Sequence, residues 1–226
     1  DVGCIADTVS KIVTVSPLPT ATITGDIQVC LNAALPNVTF TGAIGLAPYT
    51  FTYNINGGAN QTVTTVSGNS VTVSAPTNMP GTFVYNLVSI ADASPAVCAQ
   101  PQTGSVTIQV NPLPTATISG TFSICKNGAS PNITFTAAGG AVAPYTFTYN
   151  INGGPNQTVT TVSVNSVTVT VPTSTAGTFT YNLLNVSDAS TTLCGQAQSG
   201  SATVTVFELP TANITGTTEV CLNGTS

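Results

Sequence analysis

The sequence predicts an all-β chain built of tandem β-sandwiches, about seven strands each. Three observations predict it: an internal repeat of about 95 residues, a hydrophobic period of two inside each repeat, and turn residues at regular intervals between the alternating segments. Charged residues make up only 4% of the 226, while apolar residues reach 42%, enough for folded cores.

The repeat sets the domain organisation. PLPTATITG at 17–25 returns as PLPTATISG at 112–120, and LPTANITG stands at 209–216. YTFTYNINGG at 49–58 returns at 145–154, and NQTVTTVS at 60–67 returns at 156–163. The offset grows from 95 to 96 between Phe40 and Tyr49, which places a one-residue length difference in the loop around 42–48 and 137–144. Two full repeats are therefore expected, 17–111 and 112–207. Residues 1–16 read as the end of a preceding repeat and 208–226 as the start of a following one, so the chain is expected to be a window onto a longer array.

Each strand has its own warrant. Residues 20–24 follow Pro17 and Pro19, whose fixed φ restricts bending where repeats join. Residues 37–42 carry Val38 and Phe40 between threonines. In 49–55, Tyr49, Phe51, Tyr53 and Ile55 alternate with Thr50, Thr52 and Asn54, one set for the core and one for water. Asn56-Gly57 and Asn152-Gly153 then mark hairpins, because a type I′ turn needs positive φ at both central residues. Strand 60–66 leads through Ser67–Ser70 into 70–75; at the Gly68 position the second copy has Val164, so a positive φ is not required there. Strand 82–90 carries Phe83, Tyr85 and Leu87, and 105–110 closes the repeat. Tyr85 and Tyr181 stand where a sandwich often places a tyrosine whose hydroxyl bonds the backbone. Seven short strands in such a span, with turns every 8–12 residues, is the pattern of an immunoglobulin-like sandwich.

The motifs PLPTATISG, VC or IC, NITFT, APYTFTYNINGG, GTFTYNL, SDAS and SGSATVTV together resemble the PKD-like or Ig-like repeats of very large secreted cell-surface adhesins of Bacteroidetes. That family includes SprB-type gliding-motility adhesins and other type IX secretion substrates. The resemblance runs the whole length of the chain. It implies an extracellular, cell-surface stalk or filament, and it brings no catalytic residues with it.

Six cysteines, Cys4, Cys30, Cys98, Cys125, Cys194 and Cys221, recur two per repeat. That regularity without histidine points to disulfides and an oxidising compartment, and no pair has the spacing of a metal knuckle. Three pairings are open. Bonds within repeats give Cys30–Cys98 and Cys125–Cys194, slightly preferred because tandem domains usually staple themselves. Bonds across the proline segment give Cys4–Cys30, Cys98–Cys125 and Cys194–Cys221. A staple between neighbours gives Cys30–Cys194, because in a sandwich the loop after the first strand and the last hairpin loop lie at opposite ends.

The chemistry expected is structural. The two basic residues, Lys11 and Lys126, cannot form the footprint that nucleic acid requires. No imidazole is available as a general base, and no paired carboxylates recur, so no enzyme, cofactor or metal site is expected. The one acid common to both repeats, Asp92 and Asp188, reads as an Asx-turn residue beside the last hairpin. Asp7, Asp26, Glu208 and Glu219 do not recur in register and read as solvated charges. Threonine-rich outer faces read as uncharged solubilising surface rather than an ice-binding array, because antiparallel sandwiches twist. No apolar run approaches the ~18 residues of a membrane helix. The expected partners are neighbouring repeats of the same chain, laterally associated copies, and a surface polysaccharide held by loops 42–48 and 91–104. Expected sandwich length is about 35–45 Å per repeat. The two function classes are a spacer in an extracellular adhesin or filament, and a carbohydrate- or surface-binding module of a secreted protein.

Overall fold

The computed structural model describes residues 9–139, 142–216 and 222. The chain divides into two compact units, Asp1–Leu113 and Pro114–Ser226. Every regular element in the described residues is a strand. In the first unit these are β1 (Thr20–Thr24), β2 (Ile27–Cys30), β3 (Asn37–Ala43), β4 (Thr50–Ile55), β5 (Gln61–Thr64), β6 (Ser70–Ser74), β7 (Gly81–Ala91), β8 (Ala99–Pro101) and β9 (Ser105–Asn111). In the second they are β10 (Thr115–Ser119), β11 (Phe122–Cys125), β12 (Asn132–Ala138), β13 (Thr146–Ile151), β14 (Gln157–Thr160), β15 (Ser166–Thr170), β16 (Gly177–Ser187), β17 (Gly195–Ala197) and β18 (Ser201–Phe207).

Each unit is a sandwich of two sheets. The smaller has the order β1-β3-β6; the larger has β2-β9-β7-β4-β5, with β8 added beside β7. The second unit repeats this with β10-β12-β15 and β11-β18-β16-β13-β14, β17 lying beside β16. The fold is the tandem immunoglobulin-like sandwich that the periodicity predicts.

Nine strands replace the expected seven, for two physical reasons. First, the opening segment serves both sheets. β1 pairs antiparallel with β3, whereas β2 pairs parallel with β9. Gly25 makes the crossing, with φ +135; a Cβ there would lie 2.7 Å from the Asn37 carbonyl oxygen. Gly120 does the same in the second unit with φ +116. Second, β8 is a three-residue strand that no alternation could reveal. Its pairing places Gln100 opposite Ile90.

The cores follow the alternation. Val38, Phe40, Phe51, Ile90, Ile108 and Val110 are fully enclosed, as are Ile133, Phe135, Phe147, Val171, Val186 and Val204. Phe40 meets Phe51 and Tyr53 across the two sheets, ring centroids 5.6 and 5.0 Å apart. Such pairs add about 0.5–1.5 kcal/mol to the burial itself. Along β7 the period slips: Tyr85 and Leu87 are buried, and the next buried residue is Ile90. The cause is a bulge, since Tyr53 faces Leu87 while Thr52 faces Ser89. The same shift falls between Thr148 and Tyr149 in the second unit. The Ala47–Pro48 and Ala143–Pro144 peptide bonds are cis.

Candidate functional site

The register defines two ends for each sandwich. In the first unit Gln100 Nε2 donates to the Pro19 carbonyl, and Gln102 Oε1 accepts from Ala21 N–H at 3.2 Å. The Cys98 thiol lies 4.0 Å from the Ser16 carbonyl. The chain therefore enters the sandwich beside Ile90, at the Ala91 end of β7. It leaves at Asn111, where β9 has run to the opposite end: Val110 faces Gly81. Entry and exit lie nine residues of β7 apart, about 30 Å at ~3.3 Å per residue.

At the entry end Asp92 organises the loops. Its Oδ1 accepts from the Ser94 hydroxyl at 2.7 Å, the Ser94 amide at 3.2 Å and the Cys98 amide at 2.9 Å. Its Oδ2 accepts from the Leu46 amide at 3.2 Å, which ties the 44–48 loop to the 92–98 loop. The Ser94 hydroxyl, followed by the backbone amides, holds the Asp92 carboxyl below the usual carboxylate range, against burial, which raises it. Asp188 repeats the Oδ1 contacts to Ser190 at 2.7 and 3.2 Å; its buried Oδ2 has no hydrogen-bond partner. The expected Asx turn is present and does more than turn, since Asp92 also joins two loops.

Tyr49 completes this end. Its hydroxyl donates to the Ile44 carbonyl at 3.0 Å and sits 3.3 Å from that of Gly45. Its amide donates to the buried Thr65 hydroxyl at 2.9 Å, and the Thr65 amide returns a bond to the Tyr49 carbonyl. The backbone-bonding tyrosine is thus Tyr49 and not Tyr85. The Tyr85 ring stacks on Tyr53, centroids 6.2 Å apart, as Tyr181 does on Tyr149 at 6.0 Å. Burial pushes the Tyr53, Tyr85, Tyr149 and Tyr181 hydroxyls up. The aromatic stripe Tyr49, Phe51 and Tyr53 is at most 5% exposed, so it is core and offers no stacking platform.

At the exit end β2 finishes at Cys30, opposite Asn111. Leu31 N–H donates to the Asn111 carbonyl at 2.8 Å. Asn32, at φ 61, turns the chain away, and Thr77 closes the corner with a 2.7 Å bond to the Ala33 carbonyl. The second unit matches: Cys125 faces Phe207, and Lys126 N–H donates to the Phe207 carbonyl. Glu208, expected as a solvated charge, lies 3.2 Å from the Lys126 ammonium; Glu208 is exposed and Lys126 is only partly covered, so the pair adds little.

The cysteines correct one expectation. Cys30 and Cys194 are disulfide-bonded, whereas Cys98 and Cys125 are free thiols. The within-repeat pairs Cys30–Cys98 and Cys125–Cys194 are therefore absent. The reason is the register: Cys30 sits at the exit end beside Asn111, and Cys98 at the entry end, its carbonyl accepting from Asp92 N–H. The separation is most of the length of β7, far beyond the ~7 Å between Cα atoms that a disulfide spans. The free state of Cys98 and Cys125 also removes the Cys98–Cys125 pair of the second scheme. Cys4 and Cys221 lie outside the described residues.

Other candidates resolve as structure. Outer-face hydroxyls pair with each other, Thr41 with Ser70 at 2.8 Å and Thr50 with Thr64 at 2.9 Å. They tie neighbouring strands. Among the described residues no three histidine, cysteine or acidic side chains gather to hold a metal, and no helix is long and apolar enough to cross a membrane.

No protein-family model matches the chain, and no curated protein matches it. Solved structures similar to it include one concerned with host cell surface retention of a 1.5-MDa bacterial ice-binding adhesin. That match has 19% identity and a TM-score of 0.49, and covers 87% of this chain and 67% of the other. A Ca2+-stabilised adhesin by which an Antarctic bacterium reaches out and binds ice matches at 21% identity and a TM-score of 0.49, covering 88% of this chain; the chain spans about half of that one, 51%. The D0–D1 domain of intimin matches at 18% identity and a TM-score of 0.32, covering 84% of this chain and 100% of the other.

Proposed function

We propose that this chain is a repeat segment of a long extracellular cell-surface adhesin or filament, a stalk that holds a distal binding region away from the cell or transmits force along the surface. The observation that carries this reading is the placement of entry and exit at opposite ends of each sandwich, about 30 Å apart along β7 and again along β16. A unit with that geometry sets its two neighbours one sandwich length apart. A unit whose termini met at one end would add bulk without reach. The near-identity of the two copies supports the same reading, since β3, β4 and β5 have the lengths and burial patterns of β12, β13 and β14.

The finer assignment is to the SprB-type adhesins of Bacteroidetes, with type IX secretion and gliding as the context. It rests on the motif resemblance. A sparse charge complement suits an exposed fibre, because the surface responds little to salt, and it favours lateral association of stalks. The chain acts here as structure and not as an enzyme.

The test is immuno-electron microscopy of source cells with an antibody to residues 17–111. Label spaced along surface fibres is the expected result. Label confined to soluble secreted protein would overturn the stalk reading and favour a polysaccharide-binding module, in which the Asp92-linked loops make the contact.

A further inference from the structure

We propose that the outer edge of β5, and of β14 in the second repeat, is the seam along which two copies of this chain pair side by side. The edges join antiparallel, strand to identical strand. This gives the lateral association of stalks its surface, and it rests on the stalk reading for its setting.

β5 and β14 are the last strands of the larger sheets, and among the described residues no strand lies beyond them. Their backbone direction is fixed. The Thr65 amide donates to the Tyr49 carbonyl at 2.9 Å, and Val63 faces Phe51 in the same ladder. Bonded pairs alternate along antiparallel strands. Gln61, Val63 and Thr65 therefore turn their backbone groups to β4, and Thr62 and Thr64 turn theirs outward. The bond from the Thr161 amide to the Tyr145 carbonyl sets the same alternation in β14, with Thr158 and Thr160 outward. Side chains hold the edge in place. The Tyr53 hydroxyl donates to Gln61 Oε1 at 3.1 Å, and the Thr50 and Thr64 hydroxyls bond at 2.9 Å. Tyr149 with Gln157 and Thr146 with Thr160 repeat this at 3.1 and 3.0 Å. An edge already ordered loses little freedom on pairing.

The edges at the other end of the sheets are obstructed. β1 follows Pro17 and Pro19, and its Ala21 amide is taken by Gln102; in β10 the Ala116 amide is taken by Gln198 at 3.0 Å. β2 begins beside Asp26, whose carboxylate accepts from the Thr107 amide at 2.6 Å, and β11 ends beside the Lys126–Glu208 pair. Charge and proline are the means by which natural edge strands refuse a partner. Residues 61–75 and 157–171 contain neither. Of the two edge strands in that stretch, β5 and β14 share the sequence QTVT, whereas β6 and β15 differ at the last residue.

A second copy is the occupant because the strand fits itself. An antiparallel pairing centred on Val63 sets Thr62 opposite Thr64 of the second copy, and Thr64 opposite its Thr62. Two such pairs make four backbone hydrogen bonds. Both threonines are exposed, so the seam gains cross-strand threonine pairs of the kind the sheet already has at Thr50 and Thr64. Val63 is half-buried, and meeting its own copy covers the rest of it. Val66, just beyond the strand, is fully exposed, and Val162 is 91% exposed. No like charges oppose one another. A four-residue seam is weak by itself, and an array offers it once per repeat.

The test is sedimentation velocity of the whole chain, its free thiols alkylated, over a concentration series. The unsubstituted chain should sediment faster as concentration rises. Thr62→Pro with Thr158→Pro removes one outward amide from each edge and spares the bonds to β4. Two backbone bonds are lost from each seam, and the dissociation constant should rise about tenfold or more. Thr62→Lys with Thr158→Lys leaves the backbone unaltered and should also weaken association. Thr103→Lys with Ser199→Lys adds the same charge at exposed positions in the β8–β9 and β17–β18 loops and should leave association as it was. Thermal midpoints report that each variant is folded, and the lysine pair decides if the proline pair is not. A chain that stays monomeric at every concentration would overturn the seam. So would association that the edge variants leave unchanged, or that the loop lysines weaken equally. Labelled surface fibres with a monomeric chain would remove the seam alone; soluble label with an intact seam would remove the stalk reading alone.

Discussion

Thr65 and Asp92 show how single polar side chains hold an end of this sandwich together. Thr65 is 3% exposed, and its hydroxyl is the acceptor for the Tyr49 amide. Thr65→Val keeps the volume and orphans that amide, a loss of about 1–3 kcal/mol, read as a lower denaturant midpoint at constant slope. Thr161→Val should do the same in the second repeat, where Tyr145 N–H takes the equivalent bond. Asp92 gives a pH signature. Its folded-state pKa is depressed, so its contribution is present above the ordinary carboxylate range and is lost as pH falls through the folded value. The four buried tyrosines have raised values, so their contribution is present below about pH 10 and is lost as pH rises through the folded values. With no histidine in the chain, the melting temperature should be flat from about pH 5 to 8 and fall on both sides. A steep change near pH 6.5 would contradict this. Asp92→Asn should remove part of the acid limb of the curve.

At the scale of elements, the sequence was most readable where period and propensity agree. The aromatic strand at Tyr49–Ile55, the Asn-Gly hairpins and the enclosed Phe40 and Phe51 all follow from alternation and turn chemistry. What was not readable depended on partners distant in sequence. β2 is recognisable only from its parallel pairing with β9, and β8 only from its pairing with β7. The bulge opposite Thr52 is set by β7, so the shift from Leu87 to Ile90 has no local marker in β4. Position in the sequence points to Tyr85 as the backbone-bonding tyrosine, whereas the carbonyls that accept lie in the 44–45 loop beside Tyr49. Gly25 gives the element-scale prediction. Gly25→Ala places a Cβ 2.7 Å from a backbone oxygen at φ +135, so it should destabilise the first repeat by upwards of about 1 kcal/mol. Gly68 also has a positive φ, +69, but an added Cβ there meets open space and the other copy carries Val164 without a positive φ, so the effect of Gly68→Ala on the thermal midpoint should be the smaller of the two.

For the whole molecule, the even recurrence of cysteines announced disulfides but not their partners, because spacing along the chain says nothing about which end of a sandwich a residue reaches. Strand direction decides it: β2 carries Cys30 to the exit end, and β7 carries the chain back towards Cys98 at the entry end. The same directionality makes each repeat a spacer, and the central claim is that repeats add length. The most direct test is to delete one repeat from the chromosomal copy of the parent protein and measure its surface fibres by electron microscopy. Each repeat removed should shorten the fibre by one sandwich length, about 30 Å at ~3.3 Å per residue of β7 plus the short linker, in proportion to the number deleted. Fibres whose length does not change with repeat number would contradict it.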